Sequence, residues 1–195
     1  LSVLLRPAAA GPGIDFAPGT APLRVGLALA RALAAHAGIE CQLKWPNDLL
    51  VPARGKVAGI LCEAVTVGSS TCIIAGIGIN VRQRDDDWPP ELRRTATSVE
   101  ACTGGRVDRA TLTGGVIEAL RPLLVSPMTP LSAAELAEFR RRDALRGRDI
   151  ILDRQTATVR GVDADGTLIV EADGGMQRVT AATLRLAATA GADRD

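Results

Sequence analysis

The 195-residue sequence predicts an α/β protein of the α+β kind, a mixed and largely antiparallel sheet with helices, followed by a small all-β module. Three observations carry this prediction. A helical stretch over residues 21–37 is followed by a meander of strand-like runs up to residue 81, which argues for neighbouring antiparallel strands. The most apolar of those runs, Thr71 to Val81, reads as a central strand. After Gly147 the texture changes to short alternating runs separated by Asp-Gly and Gly-Gly turns, the pattern of a compact β unit.

Each element has a local reason. Residues 1–6 are largely apolar and read as a buried strand. Residues 7–20 are rich in Pro and Gly and read as a loop. In the helix over 21–37, Leu23, Leu27, Ala30 and Ala34 fall on one stripe, with Thr20 as N-cap, Pro22 in the first turn and Gly38 as terminator. Residues 40–45 form a strand that Pro46-Asn47-Asp48 interrupts as a turn. Strands resume at 49–51 and, after a turn over Ala53–Gly55, at Val57–Val65. Residues 82–97, with Asp85-Asp86-Asp87 and Pro89-Pro90, are a surface loop. Asp108 caps a helix over 109–124, which Gly114-Gly115 weakens. Ser132 and Glu135 form a capping box for a helix over 133–142. The β unit then runs through 149–152, 157–162, 167–171 and 176–179. The expected division is 1–145, 146–188 and a frayed tail at 189–195.

Composition narrows the classes. Apolar residues make up 47% and charged residues 23%, the balance of an ordinary globular protein. The net charge of +1 gives no sign of a nucleic-acid or anionic membrane partner. No apolar run is long enough for a transmembrane helix, and the chain reads as cytoplasmic. Aromatics are 2%, with no Tyr, so the core is built from Leu, Val, Ile and Ala. Cys41, Cys62, Cys72 and Cys102 lack metal-site spacing and read as reduced, buried thiols, with no metal site expected. His36, the sole His, lies near a helix end without a partner motif and reads as a surface residue.

The basic residues are uneven. Of 23 Lys and Arg, only Lys44 and Lys56 are Lys. Arg does not replace a compact ammonium at a site that needs one, so the two point to chemistry in segment 44–56 or to a coding bias. Lys44-Trp45-Pro46-Asn47-Asp48 is either a turn with a packed Trp or the lip of a site where Asp48 accepts from an incoming amine. In Gly55-Lys56-Val57-Ala58-Gly59-Ile60-Leu61-Cys62-Glu63, Gly59 either lets a ligand approach the backbone or marks a bulge. Lys56 there suits charge developing on carboxylate and phosphate oxygens. Gly76-Ile77-Gly78-Ile79-Asn80 lacks the third Gly and the following helix of a dinucleotide fingerprint. Its glycines leave room for a flat ligand, with Asn80 bonding a base edge or a turn.

In this order the three segments closely resemble the catalytic core of biotin protein ligases. The family pattern is K-W-P-N-D, then G-K-x-A-G-I-L-x-E, then G-x-G-[IL]-N, and the likeness covers essentially the whole chain. It implies a mixed sheet related to class II aminoacyl-tRNA synthetase and lipoate ligase cores. It also implies a C-terminal SH3-like β-barrel, with Thr183-Leu184-Arg185-Leu186 as closing strand. The implied activity activates biotin with ATP and Mg as biotinyl-5'-AMP and transfers it to a lysine of a biotin carboxyl carrier protein. By motif position Lys56 is the catalytic lysine, and Asp48 orients or deprotonates the acceptor amine. Lys44, Trp45, Asn47, Gly59, Ile60, Leu61, Gly76, Gly78 and Asn80 belong to the biotin and adenylate site, with Asn80 at adenine and Lys44 facing the phosphates.

The family's upstream G-R-G-R-x-G-R-x-W loop and S-T-N segment have no counterpart in these residues, and nothing resembles the winged-helix DNA-binding domain of some members. The chain begins at Leu1 rather than Met, in a strand-like run. The expectation is an N-terminally truncated ligase with reduced or no activity. The alternatives are a non-catalytic remnant that binds carrier or biotin, and a lipoate-type ligase.

Overall fold

The computed structural model describes residues 1–6, 17–67, 70–152, 155–180 and 185–186. The expected loop over 7–16, the tail at 189–195 and the Thr183-Leu184 half of the closing strand lie outside them. Among the described residues the chain forms two five-stranded antiparallel sheets.

The first sheet contains β1 (Ser2–Leu5), β2 (Gln42–Lys44), β3 (Asp48–Val51), β4 (Gly55–Val67) and β5 (Ser70–Ile79) in the order β1-β5-β4-β3-β2. The predicted meander is therefore real, because sequential strands from β2 to β5 are neighbours. β1 is an edge strand and not the buried strand expected. Leu5 is buried, whereas Leu4 stays 45% exposed. The cause is that helices cover only one face of this sheet. Ala58, Ile60, Ile73, Ala75 and Ile77 point into the covered face and are buried, while Leu61 and Ile74 on the other are exposed.

Helix α1 (Ala21–Ala37) lies against that covered face and is buried on almost every side, well beyond the single predicted stripe. It packs on the sheet behind it and on helices in front of it. Small residues let the layers close: a Cβ on Gly26 would come within 3.1 Å of Leu43 Cδ2. Gly38 ends the helix in the left-handed conformation at φ 65°, as predicted. Thr20 holds the predicted N-cap position, but its side chain makes no capping hydrogen bond. It is itself helical, in a 3-10 turn over Pro18–Thr20, and its buried hydroxyl donates to Ala17 O at 2.7 Å.

Three further helices follow. α2 (Val99–Thr103) was not read from the sequence, although Ser98 Oγ caps it by accepting from Ala101 N. α3 (Arg109–Leu120) runs on as a 3-10 turn to Leu124, and Asp108 caps it as expected, accepting from Ala110 N and Thr111 N at 3.2 Å each. Its Gly115 has a packing reason: a Cβ there would strike the His36 ring of α1 at 2.2 Å. α4 (Ala133–Arg142) has the predicted Ser132–Glu135 capping box. α4 contributes one fully buried apolar residue, Phe139. Ion pairs do much of its anchoring: Arg24 Nε to Glu135 Oε1 at 2.7 Å, and Arg31 to Glu138.

The Glu135 pair makes the fold acid-sensitive. Burial alone would raise the carboxyl's pKa, but hydrogen bonds from Arg24 and Ser132 overcome it and hold it at about 2, against 4.5 ordinarily. Its stabilisation is thus complete above the ordinary value and is lost as pH falls through 4.5 towards 2. With the side chain 24% exposed, solvent screening leaves roughly 1–2 kcal/mol of this. Urea unfolding of the native protein and of Glu135→Gln should show a stability gap at neutral pH that shrinks as pH drops through this window.

The second sheet contains β6 (Asp149–Leu152), β7 (Gln155–Val162), β8 (Leu168–Ala172), β9 (Gly175–Val179) and β10 (Arg185–Leu186) in the order β10-β6-β7-β8-β9. The predicted β unit is present with bounds close to those read. Among the described residues it is an open sheet with β9 and β10 at its edges, rather than the closed barrel expected. The described part of β10 is two residues long, and it pairs with β6 alone. The two sheets share one apolar core, in which Ile150, Val159, Leu168 and Val170 join Leu27, Leu33 and Trp45.

Candidate functional site

The sequence motifs meet in one row of the first sheet. Lys44 lies opposite Asp48, Asp48 opposite Gly59, and Gly59 opposite Gly78, across β2, β3, β4 and β5. The next row pairs Leu61 with Gly76 and Gly76 with Ser2. Residues directly opposite in an antiparallel ladder share a face, and this is the face without helices. Gly59, Gly76 and Gly78 leave it a floor almost free of side chains, where a flat ligand can approach the backbone. On the covered side, the recess beneath Lys44, Asn47 and Asp48 measures only about 10 Å³, room for one water at most. Ligand space therefore lies on the open face.

A bulge puts Lys56 there. The register of β3 and β4 shifts between Leu49 and Leu50, so that Leu49 faces Ala58 while Leu50 faces Lys56. Val57 is the extra residue. In a regular strand Lys56 and Gly59 would point to opposite faces, and the bulge restores them to the same one. The bulge reading of Gly59 thus belongs to Val57. A Cβ on Gly59 would lie 3.1 Å from both Lys56 Cε and Nζ, so the lysine lies directly over this glycine. Its Nζ reaches Asp48 Oδ1 at 2.5 Å, with the side chains 45% and 18% exposed.

The backbone of Lys56 is fixed from a direction that the sequence did not reveal. Lys56 N donates to Thr95 O at 2.7 Å, and Thr97 N donates to Lys56 O at 2.9 Å. Asn80 clips the same segments together, its Nδ2 donating to Lys56 O and Thr97 O at 3.2 Å each. Of the two roles read for Asn80, the turn-like one accounts for its amide hydrogens. Asn47 Nδ2 donates to Ile60 O at 2.7 Å and Ile60 N to Asn47 O at 2.9 Å. Ile60's side chain faces the core, 3% exposed. Trp45 is not on the open face either. It is 2% exposed, and its Nε1 donates to Gly166 O at 2.9 Å, tying β2 to the turn before β8. Leu61, 61% exposed, borders the glycine floor.

The thiols stand apart. All four are free; burial pushes Cys41 up to about 12 and Cys62 to about 11, so neither offers a thiolate nucleophile near neutral pH. His36 is exposed, as expected. No group of three or more His, Cys, Asp or Glu among the described residues is placed to hold a metal, and no described helix is long and apolar enough to cross a membrane.

A fixed ammonium beside a carboxylate, above a glycine floor on the open face of a helix-backed sheet, suits a flat ligand carrying an anionic group. Known proteins resemble this chain. The Biotin/lipoate A/B protein ligase family model matches residues 2–80. The biotin–[acetyl-CoA-carboxylase] ligase of Paracoccus denitrificans is 34% identical over 168 residues, covering 80% of this chain and 68% of the relative. The bifunctional ligase/repressor BirA of Bacillus spizizenii is 31% identical over 179 residues, covering 84% of this chain and 52% of the relative. The apo biotin protein ligase from Aquifex aeolicus superposes with a TM-score of 0.75 at 25% identity, covering 95% of this chain and 81% of that one. The same Aquifex ligase in complex with biotin and ATP gives a TM-score of 0.73 at 25% identity, covering 95% and 76%. The chain belongs to the biotin protein ligase family. It spans about half the length of the BirA relatives that it matches.

Proposed function

We propose that this protein attaches biotin to a lysine of a biotin carboxyl carrier protein in two ATP-dependent half-reactions. A carboxylate oxygen of biotin attacks the α-phosphorus of ATP and pyrophosphate leaves, giving biotinyl-5'-AMP. The ε-amine of the carrier lysine then attacks the acyl carbon, AMP leaves with the bonding pair, and the amine gives up a proton. Mg²⁺ enters as part of the MgATP substrate, held by its phosphates.

The observation that carries this reading is the Lys56–Asp48 pair lying over Gly59. In the first step two anions must approach each other, and the Lys56 ammonium offsets the charge that builds on the carboxylate and phosphate oxygens. In the second, the amine must lose its proton, and Asp48 is the carboxylate beside that ammonium. At 2.5 Å the two are coupled: as Lys56 turns to adenylate oxygens, Asp48 is released to accept from the amine. Lys44 extends the positive charge along the same row towards the phosphates. Gly59, Gly76 and Gly78 hold the flat ureido ring system against the backbone, with Leu61 at the rim. Asn80, its amide hydrogens occupied, keeps Oδ1 for the adenine amino group. Asn47, Ile60 and Trp45 act by holding the motif strands in place. We assign residues 1–145 to the ligase unit and 146–188 to a C-terminal unit that closes as an SH3-like barrel, with 189–195 as its tail.

The test uses labelled biotin, MgATP and apo carrier protein. ATP-dependent label should enter a lysine of the carrier. Label passing to a lipoyl acceptor instead would assign the site to lipoate, and carrier binding without any transfer would reduce it to a docking remnant.

A further inference from the structure

The two lysines of the site are held in different ways. Lys56 has a carboxylate partner in Asp48 and backbone bonds of its own to the 95–97 segment. The Lys44 ammonium makes no ion pair among the described residues. Lys44 ends β2, a three-residue strand at the edge of the first sheet, paired in a ladder with β3 alone. Its place is therefore set through its two neighbours. Leu43 O accepts from Ala144 N at 2.9 Å, in the connector to the second sheet. Trp45 Nε1 donates to Gly166 O at 2.9 Å, in a turn of the second sheet.

That turn holds its carbonyl still. Asp163 N donates to Thr167 O at 2.9 Å and Gly166 N to Asp163 O at 3.0 Å. From outside the turn, Leu131 N donates to Ala164 O at 2.6 Å. Arg178 of β9 straddles it, bonding Asp163 and, at 2.6 Å, Asp165. Gly166 is buried at φ 89°, and an added Cβ would fall 2.6 Å from Gly19 O, so the turn lies directly against the backbone ahead of α1. Neighbouring strand residues point to opposite faces. Fixing the Trp45 indole on the covered face thus fixes the stem of Lys44 on the open one.

We propose that Trp45, Gly166 and Arg178 are positioning residues for the phosphate end of the site. Through them the second sheet sets where the Lys44 ammonium stands, and so tunes affinity for MgATP. The inference rests on the reading of Lys44 as the lysine that faces the phosphates. A cation aids a phosphate from a fixed place, and a lysine on a flexible stem with no partner of its own depends on its backbone for that place. The biotin end lies over Gly59, Leu61 and Gly76 of β4 and β5, which pair with each other along their length. Neither Trp45 nor Arg178 bonds to them, so the tether acts on one end of the site and not on the other.

The test compares Trp45→Phe, Arg178→Gln and the double variant with the unsubstituted chain. Trp45→Phe keeps an aromatic ring in the buried place and removes the donor. Its KM for MgATP in adenylate formation should rise about three- to tenfold, the worth of one hydrogen bond, with KM for biotin unchanged. Transfer from supplied biotinyl-5'-AMP to the carrier should also be unchanged, since pyrophosphate has left by then. Arg178 is exposed, so Arg178→Gln should keep the melting temperature within about 3 °C yet raise the MgATP KM about two- to threefold. The double variant should be no worse than Trp45→Phe, because both changes act through one bond. A second readout needs no turnover. The chain has two Trp, and in Arg178→Gln the Trp45 indole proton should exchange with solvent about tenfold faster while that of Trp88 stays as it was. An equal rise in both KM values, additive losses in the double variant or an unmoved Trp45 indole would overturn the proposal. A faster indole in a chain that forms no adenylate would overturn the ligase reading instead.

Discussion

Lys56→Ala should lower the rate of biotinyl-adenylate formation by about a hundred- to a thousand-fold, the loss expected when one preorganised charge is removed from a developing anion. Stability should hardly move. The Lys56 side chain is 45% exposed, and an exposed ion pair contributes only about 0–1 kcal/mol. Lys56→Arg keeps the charge but not the shape. Its planar fork must lie over Gly59, where the lysine already sits 3.1 Å from the position of an added Cβ, so activity should recover only in part. The measurement is labelled adenylate formation, beside a thermal melt of each variant. Undiminished adenylate formation in Lys56→Ala would remove the lysine from the chemistry. A large fall in melting temperature would show a structural role instead.

Gly55→Ala should be among the most damaging single-methyl changes available in this chain. Gly55 has φ 105°, a region that L side chains rarely adopt, and its added Cβ would fall 2.4 Å from Thr95 O and 2.6 Å from Thr95 C. Both partners are backbone, so neither can swing aside. Strain of about 1–3 kcal/mol and overpacking of a similar size add to roughly 3–5 kcal/mol, a large share of a typical total stability of about 5–15 kcal/mol. The melting temperature should fall by about 10 °C or more. The same shift would displace the Lys56 N–Thr95 O bond of 2.7 Å next to it, so ligation should fail even where the protein still folds. Gly114→Ala is the control. Nothing lies within 4 Å of its added Cβ, and Ala in a helix is worth up to about 1 kcal/mol over Gly, so that variant should be neutral or more stable. Equal melting behaviour of the two variants would refute the backbone contact at Thr95.

Much of the fold was legible because its signals are local. Asp108, Ser132 with Glu135, and Gly38 cap helices through contacts within a few residues of themselves, and each does what its position suggested. Thr20 misled for the opposite reason. Its hydroxyl is turned away from the helix amides to Ala17 O at 2.7 Å and to Thr129 O of a distant segment at 3.4 Å, and the residue lies in a 3-10 turn. The short α2 was overlooked beside a polar loop, although Ser98 and Gly104 mark its two ends. The apolar run of residues 1–6 suggested burial, but apolar character does not say which sheet face a helix will cover, and Leu4 is left on the uncovered one.

The candidate site divides in the same way. By itself the sequence determined the residue types and their order: two lysines in a chain otherwise using Arg, two Asn, Asp48 and three strand glycines. It also determined that strands would carry them, since period and turn residues are properties of neighbours along the chain. Tertiary structure alone decided that Lys44, Asp48, Gly59 and Gly78 form one row, and that Trp45 faces inward to Gly166. It also decided the face of Lys56. Strand parity read from the sequence places Lys56 opposite to Gly59, and only the extra residue at Val57, set by pairing with β3 and by the 95–97 segment, turns it back. A side chain's face depends on which residues oppose it across the sheet, and that is a relation between distant segments that no local pattern encodes.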